Sequence, residues 1–553
     1  MKDLEIINEY RLLDKELSLY SDKLRGARDY ETSLFIPDIN YLESVEKELK
    51  ELKNKVISIS VNDDVTNILQ NHFKDFVDGQ ELNLKGLYER PSVHISIFTN
   101  TFMNMIRYDS RPDIVKAEIL MDRFKQADKV WDGILTWIDR VALLYLRELI
   151  DSCNLFINTM KVESKKLPKY FPNLNENQLN ELLNVIQEIS YKMEGWIEFA
   201  KEIMAANNMM DADETSETDT IKFDESYYRF VLNNNFGIDL DELLSWYEEE
   251  VEKTRNEVFK IASKLKISDP IPKTMKEVND ILLKYAGPCD TPEEMYARAN
   301  EYIKRTRAVC HEFVNLPSDE ICIVNETPEQ YKFSWPWGGY GGGCPRRRPL
   351  IGEMFLNRYN YKAVTDGWIK MNTVHESYPG HHAQFVRATL DPIPETMKRG
   401  AKSIPLMEGT AHRSERAFEF IFGEDQFYPL FVAYRRHHTS VRIKSDLWLR
   451  YFGRPIGDAV QLYVDELDFD RNTARGQVKQ QEEMQGYFTN YYYGMKKLSD
   501  WEKSYGYSKK DFTELLFSPG RISLQNFEKF LKLSEEDKSR LLNDYASLLQ
   551  FKE

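Results

Sequence analysis

Cysteine is scarce in this chain. Five stand among 553 residues, Cys153, Cys289, Cys310, Cys322 and Cys344, an odd number, widely spaced and without a C-x-x-C pair. That pattern excludes a disulfide framework and a cysteine zinc site, and leaves reduced, mostly buried thiols as the expectation. Long apolar runs are also missing: no stretch approaches the ~20 residues of a membrane span. The opening Met1-Lys2-Asp3-Leu4-Glu5 puts charge where a signal peptide needs an apolar core. A cytoplasmic protein with no membrane partner is expected. Positive charge is in deficit, with 74 Lys and Arg against 90 Asp and Glu and a net charge of −16. Nucleic acid is therefore not expected as a partner, because it requires basic patches.

Core material, in contrast, is plentiful, with 42% hydrophobic and 13% aromatic residues. The length exceeds what one core usually holds, so two or more subdomains are expected. The first third reads as successive helices. Leu4, Ile7, Tyr10, Leu12 and Leu17, then Leu42, Val45, Leu49, Leu52 and Val56, recur mostly every three or four residues, as core-facing helical stripes do. Trp131 to Leu149 reads as one largely buried helix, and Asn173-Leu174-Asn175-Glu176 as a helix start. Residues 207–226 are acidic, polar and aperiodic, which divides the chain into an N-terminal helical region (1–206), an acidic linker or mobile loop (207–226) and a catalytic region (227–553). Helical periodicity resumes at Leu240 to Leu265 and at Pro292 to Phe313.

The texture changes at about residues 321–357, where β-branched Ile321-Cys322-Ile323-Val324 and the run Glu353 to Asn357 suggest a small sheet. Between them, Gly338 to Gly343 reads as a flexible loop; it lacks the Gly-Lys-Ser/Thr ending of a phosphate cradle. Arg346-Arg347-Arg348 could hold a substrate carboxylate or be a solvated surface run.

Of nine histidines, six fall between positions 375 and 438: His375, His381, His382, His412, His437 and His438. Imidazole is a common zinc ligand and titrates near neutrality, so such clustering points to a metal or acid/base site. His375-Glu376-Ser377-Tyr378-Pro379-Gly380-His381-His382 nearly spells H-E-x-x-H, in which two histidines one turn apart bind zinc and the glutamate acts as general base. The helix expected over 363–389 carries proline where the second histidine belongs. Pro379-Gly380 then reads as a two-residue bulge that delays the turn and returns His381 to the metal. His382 competes for that place, but on a straight helix it would lie ~10 Å from His375, so His381 is favoured and His382 is given a supporting or substrate-binding role. The next helix carries Glu408, His412 and Glu415 within two turns on one face. Glu408 is expected as third ligand, and Glu415 as the group that orients a histidine.

These two segments, His-Glu-Ser-Tyr-Pro-Gly-His-His and Glu408-Gly409-Thr410-Ala411-His412-Arg413-Ser414-Glu415, resemble the paired signature of the bacterial and archaeal family catalogued as domain of unknown function 885, which is grouped with zincin-like metallopeptidases. The second departs from the family's Glu-Gly-Trp-Ala-x-Tyr-x-Glu at Thr410 and Arg413. Gly486 to Gly494 resembles a diverged Gly-Gln-Ala-x-Ser-Tyr-x-x-Gly segment, with Tyr491 on the family tyrosine. The resemblance implies a mainly α fold: a two-lobed, mostly helical zincin-like body with a deep central groove, the small sheet lying beside the metal-site helix.

The function expected is a zinc-dependent peptidase, of carboxypeptidase or oligopeptidase type, with one Zn2+ per chain. Glu376 serves as general base and Tyr491 as donor to the oxyanion. Arg435, Arg436 and Arg442 could bind a peptide carboxylate. The alternatives are a metal-dependent amidase or deacylase on a small metabolite, and a catalytically degenerate helical binding protein.

Overall fold

A computed structural model describes residues 2–24, 32–206, 215–328, 332, 337–343 and 348–545. The described chain is mainly helical, with one three-stranded sheet. It divides into two compact units. Described residues up to Val61 and from Phe76 to 206 form the first; Asn62–Asp75 and the described residues from 215 onward form the second. The start of the helix Asp64–Glu89 belongs with the second unit.

In the first unit, Ile39–Ser58 buries Leu42, Val45, Leu49, Leu52 and Val56 as the spacing predicts. On the preceding helix the stripe is Tyr10, Leu13 and Leu17, while Leu12 is 62% exposed. A one-residue error turns a helical side chain by ~100°. The expected single helix from Trp131 to Leu149 is two, Ala127–Leu135 and Leu143–Glu163, separated by a tight turn over Ile138–Arg140. Asn175 does start a helix, Glu176–Ala206: its Oδ1 accepts from the Gln178 backbone N–H at 3.0 Å, and Gln178 Oε1 accepts from the Asn175 N–H at 2.9 Å.

The second unit holds the site. Its relevant elements, in chain order, are α1 (Leu240–Ala262), α2 (Pro292–Phe313), β1 (Glu320–Glu326), β2 (Gly338–Gly341), β3 (Leu350–Leu356), α3 (Asp366–Asn372), α4 (His381–Leu390), α5 (Ile404–Ala417), α6 (Tyr428–Leu447) and α7 (Asn490–Ser504). The strand order is β1-β3-β2, with β1 parallel and β2 antiparallel to β3. The sheet lies where the β-branched residues indicate, but Gly338–Gly341, expected as a flexible loop, is an edge strand paired with Glu353–Leu356. Helix α1 packs on α6, and α5 on α7. The second pairing is unusually close: a Cβ on Gly409 would meet the Gly494 carbonyl carbon at 2.5 Å, and one on Gly494 the Pro405 oxygen at 1.9 Å. Two glycines at the crossing let the backbones touch, which carries Glu408 to the segment bearing Tyr487 and Tyr491.

Candidate metal centre

Helix α3 begins at Thr365, whose hydroxyl accepts from the Trp368 N–H, and ends in one turn of π-helix, Thr373–Ser377. The chain then leaves the helix through Tyr378 (φ −131°, ψ 123°) and Gly380 (φ −107°, ψ −139°) before α4 starts at His381. The expected bulge within one helix is thus a break between two. Proline cannot donate to a continuing helix, and a Cβ on Gly380 would lie 1.8 Å from the His375 carbonyl oxygen. That approach folds the second histidine back on the first, with ring centroids 4.9 Å apart and planes at 90°.

His375, His381 and Glu408 converge. One ligand atom from each lies within 4.8 Å of the others, and no other group of three such side chains is so placed among the described residues. Glu408 Oε2 is 3.4 Å from both imidazole Nε2 atoms. Ligands bonded at ~2.0–2.1 Å around a tetrahedral ion stand about 3.4 Å apart, so the spacing suits zinc. The remaining polar atoms are committed elsewhere. His375 Nδ1 meets Glu415 Oε1 at 2.8 Å, His381 Nδ1 meets Gln384 Oε1 at 2.8 Å, and Glu408 Oε1 accepts from the Tyr487 hydroxyl at 2.9 Å. With acceptors on both Nδ1 atoms, the Nε2 lone pairs turn inward. Glu408 Oε2 is buried without a hydrogen bond, and a buried polar atom of this kind calls for a partner.

The electrostatics agree. Burial works to lower the His375 pKa, yet Glu408, Glu415 and Glu376 push it up to about 10. His381 is likewise raised against burial, by Glu408 and Glu376. Burial works to raise both glutamates, but His381 and His375 hold Glu408 well below the usual carboxylate range, and His412 and His375 do the same for Glu415. The cluster therefore favours positive charge among its three inward-facing atoms.

A model of the family described as "Bacterial protein of unknown function (DUF885)" matches residues 37–528. The chain belongs to this family. No curated protein matches it. Among solved structures, a "putative lipoprotein" from Colwellia psychrerythraea superposes with a TM-score of 0.77 at 15% identity, covering 96% of this chain and 99% of that one. A "putative lipoprotein of unknown function" from Shewanella oneidensis gives 0.72 at 15% identity, covering 96% and 100%. These likenesses show a shared fold.

The other expected residues of this DUF885 chain divide by location. Glu376 is partly exposed beside the three ligands, and its carboxylate makes no hydrogen bond or ion pair with a described residue. Tyr491 lies nearly parallel to the His375 ring, centroids 6.3 Å apart. Its neighbours Tyr492 and Tyr493 donate instead to Glu250 (2.5 Å) and Glu242 (2.8 Å). Glu415 meets His375 through Oε1, and its second oxygen meets His412 Nδ1 at 2.8 Å, while His412 Nε2 meets the Thr439 hydroxyl at 2.8 Å. His412 is therefore one bond removed from the ligands, and burial lowers its pKa to about 4.

His382 is committed to partners of its own. Fully buried, it contacts Glu320 Oε2 through Nε2 at 2.7 Å and the Tyr340 hydroxyl through Nδ1 at 3.0 Å. Glu320 also accepts from Tyr378 (2.5 Å) and Arg307 (2.9 Å), so one carboxylate ties the motif to β1 and α2. The Arg436 side chain makes no hydrogen bond or ion pair with a described residue. It lines a cavity of about 810 Å³ with Glu250, Glu257, Arg416 and Tyr492. Arg346 and Arg347 lie outside the described residues; Arg348 pairs with Asp319 at 3.8 Å.

Four residues of the site escaped the sequence reading: Tyr487, Gln384, Glu320 and Thr439. Gln384 had a local signal, one helical turn after His381. The other three come from distant segments.

Proposed function

We propose that this DUF885 chain is a zinc-dependent, zincin-like peptidase that hydrolyses peptide bonds at His375, His381 and Glu408. The observation that carries this reading is the buried Glu408 oxygen, 3.4 Å from two inward-facing imidazole nitrogens and without a hydrogen bond. A zinc ion held there supplies Lewis acidity to a scissile carbonyl and to water. Glu376, uncommitted to any described partner, takes a proton from the attacking water and returns it to the leaving nitrogen. The water oxygen bonds to the carbonyl carbon, the C–N bond breaks, and a carboxylate and an amine leave. Tyr491, against the His375 ring, donates to the oxygen on which negative charge develops. The edge strand β2, whose Tyr340 reaches His382, supports a peptide substrate, because an extended chain can add to such an edge.

The test is metal content together with peptide turnover. The wild type is expected to carry one zinc, lost in His375→Ala, His381→Ala and Glu408→Ala and kept in His382→Ala. Glu376→Gln is expected to keep zinc and lose hydrolysis by about 10²–10⁴-fold. A wild type that binds no zinc, or a Glu376→Gln variant with full turnover, overturns the proposal.

A further inference from the structure

Two arginines on α6 are out of electrostatic balance. Arg435 and Arg442 are only 7% and 5% exposed, and neither forms an ion pair with a described Asp or Glu. Arg435 Nε has no hydrogen bond, and its Nη1 reaches only His438 Nδ1, at 3.3 Å. Arg442 Nη2 donates to the neutral amide of Gln477 at 2.9 Å. Two other arginines of the same unit, equally buried, grip carboxylates, Arg387 those of Asp391 and Glu514 and Arg413 that of Glu502, while a third, Arg450, donates to the Gln481 and Glu482 carbonyl oxygens. Burying one guanidinium without a counter-charge is costly, and burying two side by side adds their repulsion. Arg442 registers both effects, pushed down to about 10 by burial and by Arg435.

Their position relative to the three ligands identifies the missing anion. Both guanidinium groups lie over the ring of Tyr491, at 5.7 and 5.5 Å from its centroid, and the same ring lies beside His375. The unpaired charges are therefore one aromatic ring away from the candidate metal. The two legs, 5.5–5.7 Å from the guanidinium groups to the Tyr491 ring and 6.3 Å from that ring to His375, bound the separation at about 12 Å, which at up to ~3.5 Å per extended residue is spanned by no more than about three residues of substrate. Guanidinium groups recognise carboxylates through paired N–H donors in a planar fork.

We propose that Arg435 and Arg442 form a subsite for the free α-carboxylate of a peptide substrate, so that the centre removes up to about three residues from the C-terminal end. This rests on the peptidase reading for the reaction, though not for the binding. Arg435 and Arg442 are positioned to hold the end of the chain while the bond upstream lies at His375 and His381.

The experiment is equilibrium binding, by calorimetry, of N-acetylated dipeptides with free carboxyl ends and of the same dipeptides as C-terminal amides, to the zinc-loaded full chain. The free acids are expected to bind about 10- to 100-fold more tightly, the effect of one or two charge-assisted hydrogen bonds. Arg435→Gln and Arg442→Gln, checked for folding by circular dichroism, are expected to collapse that ratio toward one, and Arg435→Lys to restore part of it. Equal binding of acids and amides to the wild type, absence of binding by the acids, or an unchanged ratio in folded variants overturns the subsite. The comparison in the wild type does not depend on any variant folding. Acid-selective binding without hydrolysis of any peptide would retain the subsite and remove the peptidase reading; cleavage of internal bonds without preference for a free end would do the reverse.

Discussion

Glu415 and His375 are joined by a 2.8 Å contact between Oε1 and Nδ1, and the second oxygen of the same carboxylate meets His412. A buried glutamate with both oxygens engaged by imidazoles fixes the plane and tautomer of the histidine that faces the candidate metal.

Glu415→Gln tests that relationship. The amide presents an N–H₂ to one of the two imidazole N–H groups, so one contact turns repulsive. Zinc affinity, measured by chelator competition, is expected to fall about 10- to 100-fold with stoichiometry still at one. Unchanged affinity would show that His375 is oriented by the break in its own helix and not by Glu415.

Two glycines make opposite predictions. Gly195 lies inside Glu176–Ala206, and an added Cβ would meet nothing within 4 Å, so Gly195→Ala is expected to stabilise by about 0.5–1 kcal/mol. Gly380→Ala would drive a methyl to 1.8 Å from the His375 oxygen. It is expected to cost at least about 3 kcal/mol and to abolish zinc binding. Thermal melting and metal analysis read both; a Gly380→Ala variant that melts like the wild type would mean the break between α3 and α4 is not held as described.

Acid should weaken the fold through its buried neutral histidines. Burial lowers His94 to about 4, although its Nε2 meets the Leu87 carbonyl at 2.9 Å, and lowers His72 to about 4 as well. Both values lie below the unfolded ~6.5. The unfolded chain therefore takes up more protons between those limits, and stability present above pH 6.5 is lost as pH falls toward 4. Near pH 4.5 the loss is about 2–3 kcal/mol for each histidine. Melting curves at pH 7.5 and 4.5 are expected to show it, with a smaller drop for His94→Gln; an equal drop in that variant would remove His94 as a cause.

What could be read from the sequence follows the range of the interactions. Pro292–Phe313 was legible to the residue because its cap, Thr291, its proline and its apolar stripe are all local. His375, Glu376 and His381 were legible for the same reason, being held within one short motif. The strand Gly338–Gly341 was not, because glycines carry no strand propensity and the pairing with β3 makes the strand. Tyr487 and Glu320 were invisible because they meet Glu408 and His382 across 79 and 62 residues of chain. The break at Trp137 to Val141 was missed because neither proline nor glycine falls in it.

His381 and His382 are consecutive, yet one faces the candidate metal and the other is bolted to β1 through Glu320. Successive helical residues differ in azimuth by ~100°, so anchoring one sets the compass bearing of the other. Helix α4 is thereby denied rotation about its axis: any turn that eased one imidazole would drag its neighbour off its partner. Adjustment of the centre, whether toward another ion or a different acidity, is left to the outlying groups Gln384, Tyr487 and Glu415, each of which touches a ligand through a single side-chain contact and can change while the backbone stays in place.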